Sequence, residues 1–280
     1  MKNQNLKKIK GYIEGYYGKL LTWNDRKRLI DTLAANKMNF YFYCPKEDIN
    51  HRFLWRETYK KDWLDEFQEF NNYAKTKKVE VIAGISPGLD FNYKKFLKGN
   101  KNDLNLLKQK IEDFLSINVQ NIAIMFDDVA VSFDSEFTLQ NEGSVHAKII
   151  NEIYENFDIT MFSVPRIYSD ELIFENPNYI KKFFKEINNN IFTFYCGKYV
   201  VSESFKSNTY EIKDKIKKDK IVYWDNFYAN DYCPKKMFIG PWKNKFLIEK
   251  SMINGTGMIE TDLIIIEIVN KTSLKKNKYK

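Results

Sequence analysis

A chain of 280 residues, 44% hydrophobic and 29% charged, holds enough apolar material for one large α/β domain and too much for a disordered chain. Its net charge of +8 comes from 45 Lys and Arg against 37 Asp and Glu spread along the chain, which predicts a solvated lysine surface and no nucleic-acid partner. The apolar run 263–269 is broken by Glu267 and is far shorter than the roughly 18 residues of a membrane span, and three cysteines without CxxC spacing favour neither a disulfide scaffold nor a zinc site.

The opening MKNQNLKKIK carries basic residues with no apolar segment behind them. As it stands the sequence therefore predicts a cytoplasmic protein, or a secreted one from which an export segment has been removed. Strand-like apolar runs follow at 9–14, 38–43, 79–85, 122–126, 159–164, 191–195, 221–224 and, more weakly, 257–261. Apolar residues at helical spacing mark 24–36, 61–77, 103–117, 143–156, 202–217 and 242–253. This alternation predicts an α/β fold, a single (β/α)8 TIM barrel over residues 1–280 with a basic tail from about residue 271. A doubly wound open sheet is the competing arrangement, but no GxGxxG follows the first strand.

A barrel of this kind works at the carboxyl ends of its strands. After the first comes GYIEGYYG, residues 11–18, in which Gly15 allows close backbone approach and Tyr16 and Tyr17 are expected to line a pocket. After the second, CPKED places Lys46 at the rim, ahead of the cation-rich, aromatic loop HRFLWRETY. SPGLD makes a turn after the third. The fourth run, NIAIMFDDV, stops at two adjacent carboxylates, Asp127 and Asp128, and is the expected centre of the site. Pro165 and Tyr168 follow the fifth strand, and Cys196 and Gly197 the sixth. WDNFYANDY, residues 224–232, follows the seventh, and Asn254 lies before or at the eighth.

An isolated Asp-Asp more often caps a strand or starts a helix. The 224–232 segment tips the balance, because it packs an indole, two carboxylates, two carboxamides and two phenols into nine residues. Carboxylates and amides bond sugar hydroxyls, and aromatic faces pack against a pyranose ring, so a carbohydrate substrate is expected. Ordinary glycosidases place two carboxyl groups on opposite sides of the scissile bond. Sequence neighbours at a strand end rarely straddle a sugar that way. A sugar bearing a 2-acetamido group supplies its own nucleophile, leaving the protein to provide one acid and one carboxylate that orients the amide. Proximity raises the pKa of one partner, although spacing does not say which.

The segments GYIEGYYG, FYFYCPKEDINHRFLWRETY, AGISPGLD, MFDDV, HAKIINEIYENF and YWDNFYANDY occur in this order between about residues 11 and 254. Together they resemble the catalytic barrel of glycoside hydrolase family 84, the β-N-acetylglucosaminidases of the O-GlcNAcase type. The resemblance implies a retaining exo-β-N-acetylglucosaminidase acting through an oxazoline on a GlcNAc-bearing glycan or glycoprotein, without metal or organic cofactor. It implies that Asp127 polarises the acetamido group and that Asp128 is general acid and then base. Gly15, Lys46, Asp231 and Asn254 would hold sugar hydroxyls and Asn226 the acetamido carbonyl region. Tyr17, Tyr168 and Trp224 would wall the pocket around the acetamido methyl.

Where the family commonly reads CPTEY and WTG, this chain has VPRIY (164–168) and YCG (195–197), and the stretch between Asp231 and Asn254 is short. These departures bear on pocket shape and leaving-group selectivity. They also motivate the alternative of a non-catalytic glycan-binding barrel. A third class, a lyase using Lys46 as a Schiff base, would require an apolar pocket around that amine. Oligomeric state is not legible in the sequence.

Overall fold

The computed structural model describes residues 6–129, 136–202, 220–232, 245 and 248–275. Eight parallel strands pair in chain order and close on themselves: β1 (Ile9–Glu14), β2 (Phe40–Tyr43), β3 (Glu80–Ile85), β4 (Asn121–Met125), β5 (Thr160–Val164), β6 (Phe192–Tyr195), β7 (Ile221–Asp225) and β8 (Lys250–Asn254). The connecting helices are α1 (Trp23–Ala35), α2 (Lys61–Thr76), the short α3 (Tyr93–Leu97), α4 (Asn102–Ser116), α5 (Glu136–Asn156) and α6 (Tyr179–Glu186), with α7 (Ile259–Lys275) after β8. The fold is a single TIM barrel. Among the described residues no helix is long and apolar enough to cross a membrane.

Strand alternation divides the core into two layers. Phe40 and Phe42 of β2 with Cys44 just after it, Ala123 and Met125 of β4, Phe192 and Phe194 of β6 with Cys196 just after it, and Val222 and Trp224 of β7 cluster with one another inside the barrel. Their neighbours Tyr41, Tyr43, Ile122, Ile124, Phe126 and Tyr195 belong to a separate cluster shared with the helices. Side chains with a period of two must face opposite ways, so each strand fills the barrel with one set and seats a helix with the other.

Helix starts are also local. Thr22 caps α1 by accepting from the Asp25 amide, and Arg26, Leu29, Ile30 and Leu33 then bury one stripe at helical spacing. Arg26 reaches inward to bond buried Glu14 at 2.8 and 2.9 Å, which ties α1 to the end of β1 and holds the following loop.

β1 passes close to its neighbours. A Cβ on Gly11 would lie 1.8 Å from the Phe40 carbonyl oxygen, a backbone atom that cannot move aside. Gly11→Ala is therefore expected to cost about 3 kcal/mol, at the upper end of overpacking penalties. For a chain of this size that lowers Tm by roughly 6–12 °C, read by thermal melting.

The structure departs from expectation at the end of the chain. The eighth strand is Lys250–Asn254, where helical spacing was read over 242–253, and the expected strand 257–261 lies in the entry to α7. A five-residue strand pairing β1 on one side and β7 on the other draws its stability from tertiary hydrogen bonds that period counting does not register. The basic tail expected from about residue 271 begins as the last turn of α7. α6 was not expected, because its buried Tyr179, Ile180, Phe183 and Phe184 span barely two turns. The helix expected over 202–217 falls, beyond Ser202, outside the described residues, as does Cys233.

Candidate active site

The inward alternation of the strands continues past their ends. Ala123 and Met125 face the barrel interior, so Asp127, two residues on, does so too; the same parity carries Gly15 beyond Ile13, Lys46 beyond Cys44, Asn226 beyond Trp224 and Asn254 beyond Met252. A cavity of about 760 Å³ opens at this end of the barrel. Gly15, Tyr17, Asp127, Asp128, Tyr168, Trp224, Asn226, Asp231 and Asn254 all line it. Nine of the ten residues expected to carry catalytic or sugar-binding roles thus line one cavity.

Lys46 is the tenth. It was expected at the rim but is buried beneath the cavity, with Nζ 2.5 Å from Asp127 Oδ2 and 3.4 Å from Asp128 Oδ2. Tyr16 also differs from expectation. It is buried in the layer shared with the helices, and only Tyr17 reaches the cavity.

Asp128 would face the opposite way from Asp127 if the chain stayed extended. It does not, because Asp128 has φ +53°, in the left-handed region, and its carboxylate swings back over the same cavity. Such a conformation at a residue other than glycine costs on the order of 1–3 kcal/mol and has to be held from outside. The Arg52 guanidinium donates to the Asp128 carbonyl oxygen at 2.6 Å and to the Tyr17 hydroxyl at 2.7 Å. Tyr17 in turn donates to Asp128 Oδ2 at 3.2 Å, and Tyr168 to Oδ1 at 2.8 Å.

These contacts separate the two acids. Burial, opposed by Lys46 and reinforced by the neighbouring Asp128, raises Asp127 above the usual carboxylate range. Burial would raise Asp128 as well, but Lys46, the Tyr168 hydroxyl and Arg52 outweigh it and hold Asp128 below that range. For Lys46, burial is outweighed by Asp127 and Asp128, so its pKa is raised. A lysine held protonated is no amine nucleophile, which removes the structural premise of a Schiff-base lyase.

The opposite wall is amide and indole. Trp224 Nε1 donates to Asn226 Oδ1 at 2.7 Å, and Asn254 Nδ2 donates to the same oxygen at 3.0 Å. The Gly15 amide donates to Asn254 Oδ1 at 3.2 Å, and the Tyr17 amide to Asp231 Oδ2 at 2.9 Å. A Cβ on Gly15 would meet the Trp224 ring at 2.6 Å, so that position requires glycine for the indole to pack against the loop. Not all of the polar 224–232 segment faces the cavity. Asp225 is buried and paired with Lys245 at 2.6 Å, and Phe227 and Tyr228 join the core, so half of this segment supports the other half.

Of the departures noted in the fifth loop, Val164 lines the cavity and Arg166 does not. Arg166 is buried away from it in a pairing with Glu142 and Glu175. Tyr195 and Cys196 both contribute to the wall, as do Glu171, Phe194, Val200 and Tyr232, which were not singled out from the sequence. Phe194 follows from strand parity alone; Glu171 lies in a 3-10 turn and Val200 and Tyr232 on loops, whose paths only the fold sets. Arg52 was visible only as part of a cation-rich loop. Among the described residues no group of three or more His, Cys, Asp or Glu is placed to hold a metal ion.

Residues 10–256 match the family model described as beta-N-acetylglucosaminidase. The protein O-GlcNAcase of Mus musculus is 30% identical over 242 residues, covering 84% of this chain and 26% of that protein. The Rattus norvegicus protein O-GlcNAcase is 29% identical with the same coverage. The chain thus spans about a quarter of the length of the curated relatives it matches. In fold it is similar to a mutant of the Thermobaculum terrenum O-GlcNAc hydrolase, with a TM-score of 0.81 at 24% identity, covering 97% of this chain and 60% of that one.

Proposed function

Because the chain belongs to the β-N-acetylglucosaminidase family, we propose that it is a retaining exo-β-N-acetylglucosaminidase that releases terminal β-linked GlcNAc from O-GlcNAc-type glycoconjugates. The observation that carries this reading is the pair of adjacent carboxylates turned into one cavity, Asp127 by strand parity and Asp128 by its left-handed turn. The substrate's acetamido N–H donates to Asp127, whose Oδ2 is already paired with the Lys46 ammonium. The acetamido oxygen attacks the anomeric carbon while Asp128 gives its proton to the leaving oxygen, forming a cyclised oxazoline whose ring N–H proton is shared with Asp127. Asp128, now ionised, takes a proton from water, which opens the oxazoline from the face the aglycone left. Two inversions give net retention.

This scheme requires Asp128 to be protonated and Asp127 ionised when substrate is bound. The empty site sets the opposite directions. Substrate itself supplies the reversal. The Asp128 side chain is 29% exposed, and an aglycone seated against it removes that hydration and raises its pKa. An amide N–H donated to Asp127 stabilises the anion and lowers its pKa. Trp224, Tyr168 and Asn226 then enclose the acetamido group, and Asp231 and Asn254 accept from ring hydroxyls.

The test is hydrolysis of an aryl β-GlcNAc beside the matching aryl β-glucoside, with and without a thiazoline that mimics the cyclised intermediate. Turnover of the N-acetyl sugar alone, blocked by the thiazoline, is the expected result. Comparable turnover of both, or indifference to the thiazoline, would remove the substrate-assisted scheme. Tight GlcNAc binding without turnover would select the glycan-binding reading instead.

A further inference from the structure

Asp128 reaches the cavity only because its main chain leaves the extended conformation, at φ +53°. An adjacent pair on a regular strand end would send its second carboxylate toward the helix layer, where Phe126 already points. Something outside β4 must therefore hold the turn. The groups facing Asp128 are Tyr17 from the loop after β1, Lys46 and Arg52 from the segment after β2, Tyr168 from the loop after β5, and Asp127 beside it. Only one of the hydrogen bonds these groups make to Asp128 falls on its main chain: the Arg52 Nη2 donation to its carbonyl oxygen at 2.6 Å. The other arm of the same guanidinium donates to the Tyr17 hydroxyl at 2.7 Å, and that hydroxyl donates to Asp128 Oδ2.

We propose that Arg52 is a positioning residue for the second acid: one planar group spans two elements, fixing the Asp128 turn through its carbonyl and the carboxylate rotamer through Tyr17. This rests on the reading in which Asp128 is the proton donor. The side chain is buried, and among the described residues its Nε has no hydrogen-bond partner. Both terminal nitrogens are committed, Nη1 to the Tyr17 hydroxyl and Nη2 to the Asp128 carbonyl oxygen, so the plane of the guanidinium is set by these two partners. Lysine cannot replace it, because a single ammonium does not reproduce two divergent arms in a fixed plane.

Two variants separate geometry from charge. Arg52→Met removes both, and Arg52→Lys keeps the charge and loses the fork. With a series of aryl β-GlcNAc substrates, both are expected to lose about 10- to 10²-fold in kcat/KM where the leaving group is poor, with little loss where it is activated. Thiazoline affinity should change little in either. Removing a cation near a carboxylate raises that carboxylate's pKa, so the alkaline limb of kcat/KM should move to higher pH in Arg52→Met and stay in place in Arg52→Lys. Combined with Asp128→Ala, either substitution should cost nothing further on poor leaving groups, because it acts through the missing residue.

A loss uniform across leaving groups, or one additive with Asp128→Ala, would overturn the proposal and leave Arg52 a packing residue. Should Arg52→Met fail to fold, the leaving-group series and the double variant on Arg52→Lys decide it. A wild-type protein inactive on every N-acetyl substrate would sink the glycosidase reading and this inference with it. An active wild type with uniformly slowed Arg52 variants would sink the inference alone.

Discussion

Asp127→Asn is expected to lower kcat/KM on every N-acetyl substrate by about 10²- to 10³-fold, the range for removing one group aimed at developing charge. The substitution is nearly isosteric, so the hydrogen bond that Lys46 donates at 2.5 Å still finds an oxygen. What is lost is the negative charge facing an acetamido nitrogen that turns positive as the oxazoline forms. Leaving-group ability does not enter that interaction, so activated and poor leaving groups should suffer alike. Lys46 would be left buried with Asp128 as its nearest anion, at 3.4 Å, and a thermal melt must accompany the kinetics to separate folding from chemistry. A variant as fast as wild type would show that Asp127 does not manage the nucleophile.

Asp128→Ala is expected to behave differently. Proton donation matters in proportion to leaving-group basicity, so poor leaving groups should lose about 10²- to 10⁴-fold and strongly activated aryl glycosides far less. Equal losses on both would refute the assignment of the acid. The wild-type pH profile checks the same residue in another way. A general acid must be protonated, so activity falls as pH rises through its pKa, and kcat/KM reports the free enzyme whereas kcat reports the complex. Lys46, Tyr168 and Arg52 hold Asp128 low in the free site. The alkaline decline of kcat/KM should therefore begin at lower pH than that of kcat, the gap reflecting the dehydration of Asp128 by substrate.

Much of the architecture was legible because it repeats. Seven of the eight strands follow from apolar runs of four to seven residues, and α1, α2, α4 and most of α5 from helical spacing, since these signals record which face each element buries. β8, α3 and α6 escaped because short elements are stabilised mainly by neighbours, and α7 because its first residues read as a strand. The residues of the site were found as chemistry at strand ends. Their exact stations were not: Lys46 lies under the cavity, Tyr16 turns into the helix layer, Asp225 goes to Lys245, and Arg166 closes a pairing with Glu142 and Glu175. Each depends on which cation or anion the fold brings to it from distant sequence.

The sequence by itself determined a barrel and the carboxylate, amide and aromatic groups at its mouth, because alternation with a period of two commits Asp127, Asn226 and Asn254 to the interior once β4, β7 and β8 are placed. Strand periodicity could not place Asp128 with them, although the adjacent pair itself and the family resemblance both named it. Period two points that residue outward, and its turn inward depends on a left-handed backbone held by Arg52, 76 residues earlier in the chain. No local propensity encodes a contact of that separation; the closed barrel supplies it by bringing the segments after β2 and β4, one strand apart in the barrel, over the same mouth.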